Sequence, residues 1–217
     1  MATAFKIDDR APVTPQEVSR EVDFVERKLA LAPGSRLLAI PCGGGLHAVE
    51  LAWRGHDVNG IDPVREAVDA ARLTARRLGV AARFAVGELR DLATTRPYDA
   101  LLCLGDTLSA MEPREAQLFL NLVAAALKPG GRLVIDSRHC AESLFPLPAG
   151  ALYDPRSSML KIATHSRIET RRVTTSGELV RMLWSAGLRA TGLFADANST
   201  PFAPGAQRLL LTAERAY

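Results

Sequence analysis

Apolar positions along the chain follow two alternating rhythms. The capping box Thr14-Pro15-Gln16-Glu17 is followed by Val18, Val22, Val25 and Leu29 at helical spacing. This predicts an amphipathic helix over 15–31, closed by Pro33-Gly34. A short apolar strand is expected at 36–40, a helix from about 46 to 54 with Gly55 behind it, and a second strand at 57–61. The helix after Asp62-Pro63 should run to Leu78 and Gly79. Its Ala67, Ala70, Ala71 and Leu78 would face a sheet, and Arg65, Arg72 and Arg76 would face water. Strands follow at 83–86 and 98–104, then a helix at 115–127 with Leu118, Leu122, Val123 and Leu127 inward. After a tight turn at Lys128-Pro129-Gly130-Gly131 comes a fifth strand at 132–136. Short apolar strands separated by helices mark a mostly parallel sheet covered on both faces.

The regularity lapses after Asp136. Residues 141–157 carry Pro146, Pro148 and Pro155 and read as a loop over the working face, while 158–170 reads as a strand or a two-stranded excursion. Thr175-Ser176-Gly177-Glu178 caps a further helix with Leu179, Met182 and Leu183 inward and Gly187 beyond its end. Two last strands fall at 188–194 and 207–213. Trp53 and Trp184 sit within helices and read as core packing. About seven core strands with no internal repeat or linker imply one α/β domain over 1–217, with a cap helix at 15–31 and a lid or insert at about 137–174.

Composition narrows the class of partner. The 217 residues are 47% hydrophobic and 24% charged, as in ordinary globular proteins, and the net charge of +3 comes without a basic run. Nucleic-acid binding needs a more concentrated electrostatic footprint, so a nucleic acid is not expected as a partner. Cys42, Cys103 and Cys140 form no paired motif and read as buried thiols in a reducing compartment. No apolar stretch has membrane-spanning length and no apolar core follows a basic start, so a cytoplasmic protein that makes no membrane contact is expected.

The chemistry gathers where the first strand meets its helix. Pro41-Cys42-Gly43-Gly44-Gly45 lies at the carboxyl edge of the sheet, where open α/β folds bind ligands. Helix N-termini expose unpaired N–H groups, and glycines let a ligand approach them. The second strand ends at Asp62, whose carboxylate is suited to accept both hydroxyls of a ribose or to cap the next helix. No Gly-Lys-Ser/Thr follows the glycines, so a nucleoside triphosphatase loop is excluded. The third glycine of a dinucleotide loop is also missing, because His47-Ala48 occupies that place. A cofactor lacking pyrophosphate fits better than NAD.

The run LLAIPCGGGLHAVELAWRGHDVNGIDPVREAVDAAR resembles the first two motifs of the class I S-adenosylmethionine-dependent methyltransferases. GELRDL at 87–92, YDALLCLGDTLSAM at 98–111, LKPGGRLVID at 127–136 and TTSGELVRMLWSAGL further on are similar to its later motifs, in order. The resemblance covers roughly residues 20 to 215 and is strongest for the small-molecule branch. It implies a three-layer Rossmann-like fold with a seven-stranded, mostly parallel sheet whose last strand is antiparallel. It further implies S-adenosyl-L-methionine as cofactor and methyl transfer to an oxygen or nitrogen of a small metabolite by in-line displacement.

Carried over by position, Pro41, Cys42, Gly43, Gly44 and Gly45 would back the methionine and sugar, and Asp62 with Pro63 beside it would hold the ribose. Gly87, Glu88 and Leu89 would flank the adenine, and Leu104 and Gly105 would line the methionine part. Two positions depart from the family pattern. Ala39 replaces an acidic residue that anchors the loop, which implies a weaker site or an anchor moved to Asp106, and Pro41 replaces the usual first glycine.

A sulfonium transfer needs mainly positioning and desolvation, with a base only if the acceptor must lose a proton. Candidates at the carboxyl edge are Asp106, His139 and Tyr153; the pKa range of His139 suits proton removal near neutrality, and a structural or substrate-orienting role is the other reading of it. Arg138 is suited to contact an acidic acceptor or to form a surface ion pair. His47 is expected to pack near the loop, His56 to be exposed and His165 to lie at the surface or lid. No histidine pair has metal-ligand spacing, so no metal is expected. A monomer or homodimer remains open. The competing readings are a nicotinamide-dependent oxidoreductase and a non-catalytic domain that keeps the fold.

Overall fold

The computed structural model describes residues 14–91, 96–138, 140–143, 151–154, 156–163 and 168–216. Helix α1 (Pro15–Lys28) begins at the foreseen box: Thr14 accepts from the Glu17 amide and the Glu17 carboxylate takes the Thr14 amide at 2.8 Å. Then come β1 (Arg36–Ala39), α2 (Leu46–Trp53), β2 (Asp57–Asp62), α3 (Arg65–Leu78), β3 (Arg83–Val86), β4 (Tyr98–Cys103), α4 (Pro113–Ala126) and β5 (Leu127–Ser137). An insert of β6 (Ala151–Asp154), β7 (Met159–Ala163) and β8 (Ile168–Arg172) precedes α5 (Ser176–Ser185), β9 (Leu188–Phe194) and β10 (Leu209–Arg215). The main sheet has seven strands in the order β3-β2-β1-β4-β5-β10-β9. Its first five are parallel, and β10 runs antiparallel to both β5 and β9.

Alternation along the strands builds a separate core on each face. Leu37, Ala39, Val58, Ala100, Leu102 and Val134 pack with Val22 and Val25 of α1, Val49 of α2 and Val68 of α3. Leu38, Leu101, Cys103, Leu133 and Ile135 pack against Leu120 of α4 and Leu179 and Leu183 of α5. The result is three layers, with both sheet faces covered and a carboxyl edge at which the order reverses between β1 and β4.

Several expectations change. In α3 the buried stripe is Val68, Ala71 and Ala75, whereas Ala70 and Leu78 are exposed. In α4 it is Ala116, Phe119, Leu120 and Val123, which leaves Leu118 and Leu122 on the outside. Trp53 and Trp184 are 69% and 72% exposed on the outer faces of their helices, so neither is a core residue. The turn at 128–131 is absorbed into β5, with an irregular register between Tyr98 and Ala100 where it pairs with β4. The expected loop at 141–157 contains a strand, β6, and the excursion is a three-stranded antiparallel sheet in the order β6-β7-β8.

Candidate active site

The glycine loop is fastened to both neighbouring strands. The Ile40 amide donates to Leu102 O of β4 at 2.8 Å and the Cys42 amide to Ile61 O of β2 at 2.9 Å. The Ile40–Pro41 peptide is cis, and Gly43 and Gly45 have positive φ. These two glycines serve different ends. A Cβ on Gly45 would lie 2.6 Å from the Ala71 Cβ, so Gly45 is where α2 starts hard against α3. A Cβ on Gly43, Gly44 or Gly105 would meet nothing within 4 Å, so the turns that follow β1 and β4 leave their backbone uncovered at these positions.

Asp62 is buried and already oriented. Its Oδ2 accepts from the Gly43 amide at 2.8 Å and its Oδ1 from the Val64 amide at 2.9 Å. A carboxylate has about four acceptor positions, so two remain, enough for the two hydroxyls of one ribose. Pro63 beside it is exposed. Further along the same side, the Gly87 amide donates to Asp62 O, Glu88 is half-buried and pairs with Arg90, and Leu89 is buried. The half-buried Cys42 thiol is pushed up to about 12 by burial and by the Asp62 charge, so it stays protonated.

On the other side of β1, the ends of β4 and β5 are joined by charges that sequence reading missed. Asp136 is fully buried; its Oδ1 accepts from the amides of Gly105 at 2.6 Å and Asp106 at 2.7 Å, and its Oδ2 pairs with Arg208 at 2.9 Å. Arg208 also pairs with Glu21 of α1, and Glu21 contacts His47 at 2.5 Å. Burial alone would raise the Glu21 pKa, but the His47 hydrogen bond and the Arg208 charge outweigh it and bring it to about 2. His47 thus packs near the loop as expected. His56 is buried against Glu26 at 3.1 Å, not exposed, because it lies under α1.

Asp106, at φ +57, has a carboxylate that accepts from the Arg138 amide at 2.9 Å and the Ser109 hydroxyl at 2.6 Å, so it braces its own turn. Leu104, Gly105 and Asp106 follow β4 as the loop 41–45 follows β1, one on each side of the reversal between these neighbouring strands. Tyr153 is half-buried on β6, the insert strand separated by β7 from β8, and packs on the cluster of Leu160 and Val173. His139 and His165 lie outside the described residues. Ala39 is buried among apolar neighbours, so the loop is held by Asp62 and by strand hydrogen bonds rather than by a carboxylate at 39. Among the described residues, no group of three or more His, Cys, Asp or Glu is placed to hold a metal ion.

Residues 37–131 match the family model described as "Methyltransferase domain". The ubiquinone biosynthesis O-methyltransferase of Xylella fastidiosa strain M23 is 30% identical over 211 residues, 95% of this chain and 80% of that protein. The CcbJ methyltransferase of Streptomyces caelestis has the same fold, with a TM-score of 0.78 at 20% identity over 99% of this chain and all of that one. A S-adenosylmethionine-dependent methyltransferase of Clostridium acetobutylicum superposes with a TM-score of 0.77 at 14% identity, over 92% of each chain. The chain belongs to the class I S-adenosylmethionine-dependent methyltransferases.

Proposed function

We propose that the chain transfers a methyl group from S-adenosylmethionine to an oxygen or nitrogen of a small metabolite. The observation that carries this reading is the bare backbone of Gly43 and Gly44 beside a buried Asp62 with two acceptor positions to spare. Asp62 holds the ribose hydroxyls and Pro63 flanks them, while Gly87, Glu88 and Leu89 border the adenine. Pro41, Cys42, Gly43, Gly44 and Gly45 back the sugar and methionine, and Leu104 and Gly105 close the methionine side. Bound there, S-adenosylmethionine supplies a methyl group on a sulfonium whose charge is neutralised on transfer.

The protein's part is to orient and to exclude water. Asp106 fixes the turn that faces the acceptor, His139 takes a proton where the acceptor must lose one, and Tyr153 belongs to the insert that covers this side. The relative in Xylella is by name an O-methyltransferase, which favours oxygen as the acceptor atom. Among the described residues no helix is long and apolar enough to cross a membrane.

Calorimetric titration tests the site. The parent should bind S-adenosylhomocysteine in preference to NAD, and Asp62→Ala should bind it at least tenfold more weakly while keeping its circular dichroism. Equal affinity in parent and variant would overturn the ribose assignment, and preference for NAD would overturn the function.

A further inference from the structure

The carboxyl edge of the sheet divides into stations set by strand order. Asp62 marks β2, the glycine loop marks β1, and Leu104 to Asp106 mark β4. Arg138 follows β5 directly, one strand beyond the methionine station and on the far side from Asp62. Its amide is tied to the Asp106 carboxylate at 2.9 Å, which fixes its backbone against the end of β4. The insert is attached next to it: Cys140 forms a β-bridge with Thr174, and the Ala141 amide donates to Thr174 O at 3.0 Å. Strand β8 packs on the turn at Thr107–Ala110 that follows Asp106. Arg138 therefore stands between the end of β4 and the root of the insert.

Its side chain is chemically unfinished. Among the described residues, the buried Nε of Arg138 has no hydrogen-bond partner and its guanidinium has no ion pair. A buried donor without a partner costs roughly 1–3 kcal/mol, and more when the group is charged. The neighbouring arginine shows the contrast. Arg208 is saturated by Glu21 and Asp136, and those carboxylates are in turn spent on His47 and on the amides of Gly105 and Asp106. Burial and the charge of Arg208 lower the Arg138 pKa, with Asp136, Asp106 and Glu21 opposing them, yet guanidinium stays charged in proteins. A guanidinium edge with a free Nε matches a carboxylate side-on, through two parallel N–H···O bonds.

Resting on the methyltransferase reading above, we propose that Arg138 recognises a carboxylate on the methyl acceptor. The substrate class is then a small carboxylic acid that carries the oxygen or nitrogen to be methylated. Arg138 is a specificity-determining residue in this scheme: it sets which end of the acceptor faces away from the cofactor, and the attacking atom is left toward the β1–β4 reversal.

The test uses the full chain saturated with S-adenosylhomocysteine and titrated with acetate and benzoate against acetamide and benzamide. At least one carboxylate should bind saturably, at least tenfold more tightly than its amide. Arg138→Met should abolish that preference, Arg138→Lys should keep part of it, and both should bind S-adenosylhomocysteine within threefold of the parent. The proposal is overturned if neither carboxylate binds, if the preference survives in Arg138→Met, or if that variant loses affinity for S-adenosylhomocysteine, which would put Arg138 on the cofactor's own carboxylate. Failure of the parent to bind S-adenosylhomocysteine would instead remove the reading underneath.

Discussion

At the scale of single residues, Gly43 and Gly45 look alike in sequence and are opposites in structure. Both have positive φ, which costs an alanine about 1–2 kcal/mol. Only Gly45 also touches something: a Cβ there would sit 2.6 Å from the Ala71 Cβ and 3.1 Å from the Ala71 Cα, and a helix backbone cannot step aside cheaply. Overpacking of that kind adds about 1–3 kcal/mol. Urea unfolding should therefore show Gly45→Ala losing clearly more stability than Gly43→Ala. The order should invert for ligand binding, because a methyl group added at Gly43 meets no protein atom within 4 Å and stands in the open cradle. Gly43→Ala is expected to bind S-adenosylhomocysteine at least tenfold more weakly than the parent while remaining folded. Comparable binding by Gly43→Ala and parent would mean that the cofactor does not approach this backbone.

At the scale of elements, α1 is the piece whose sequence was easiest to read and whose purpose was hardest. The capping box and the stripe of Val18, Val22 and Val25 gave its start and its buried face. The polar side, silent in the pattern, is what ties it down: Arg54 at the end of α2 binds Asp23 at 2.6 Å, Glu26 at 2.8 Å and the Ser19 hydroxyl at 2.8 Å. Such partners lie far apart in sequence, and periodicity carries no information about them. The same limit explains α4, where Leu118 and Leu122 form a second apolar stripe beside Phe119 and Val123 and only the sheet decides which one is buried. Asp136 was more accessible, since a carboxylate closing a buried strand resembles Asp62. Glu21 yields a pH prediction. Its pKa of about 2 lies below the ordinary 4.5, so its stabilisation is fully present above pH 4.5 and is lost as pH falls toward 2. The difference corresponds to about 3 kcal/mol at most. Urea unfolding of parent and Glu21→Gln should differ most near pH 7 and converge only as pH falls to about 2; a gap that holds constant with pH would exclude the ion-pair account.

At the scale of the whole molecule, the far ends of the described chain meet over the working edge. Glu21 of α1 reaches Arg208 just ahead of β10, and Arg208 reaches Asp136, which holds the turn at Gly105 and Asp106. The methionine side of the cradle is thus braced by residues that come together only when the complete sheet and its first helix are in place. Ligand binding and global stability should be coupled through this brace. S-adenosylhomocysteine at a hundredfold excess over its Kd stabilises the native state by about 2.7 kcal/mol. For a chain of this size that corresponds to a rise in Tm of about 5–11 °C. Arg208→Met leaves Glu21 and Asp136 without their shared cation, a loss of roughly 3–5 kcal/mol for a buried pair broken on one side. In that variant part of the binding energy must go into closing the brace again. At the same ligand concentration its rise in Tm should be less than half that of the parent, measured by calorimetric scanning. An unchanged rise on a lowered baseline would show instead that the cradle forms independently of α1, with Arg208 stabilising the fold and contributing nothing to the site.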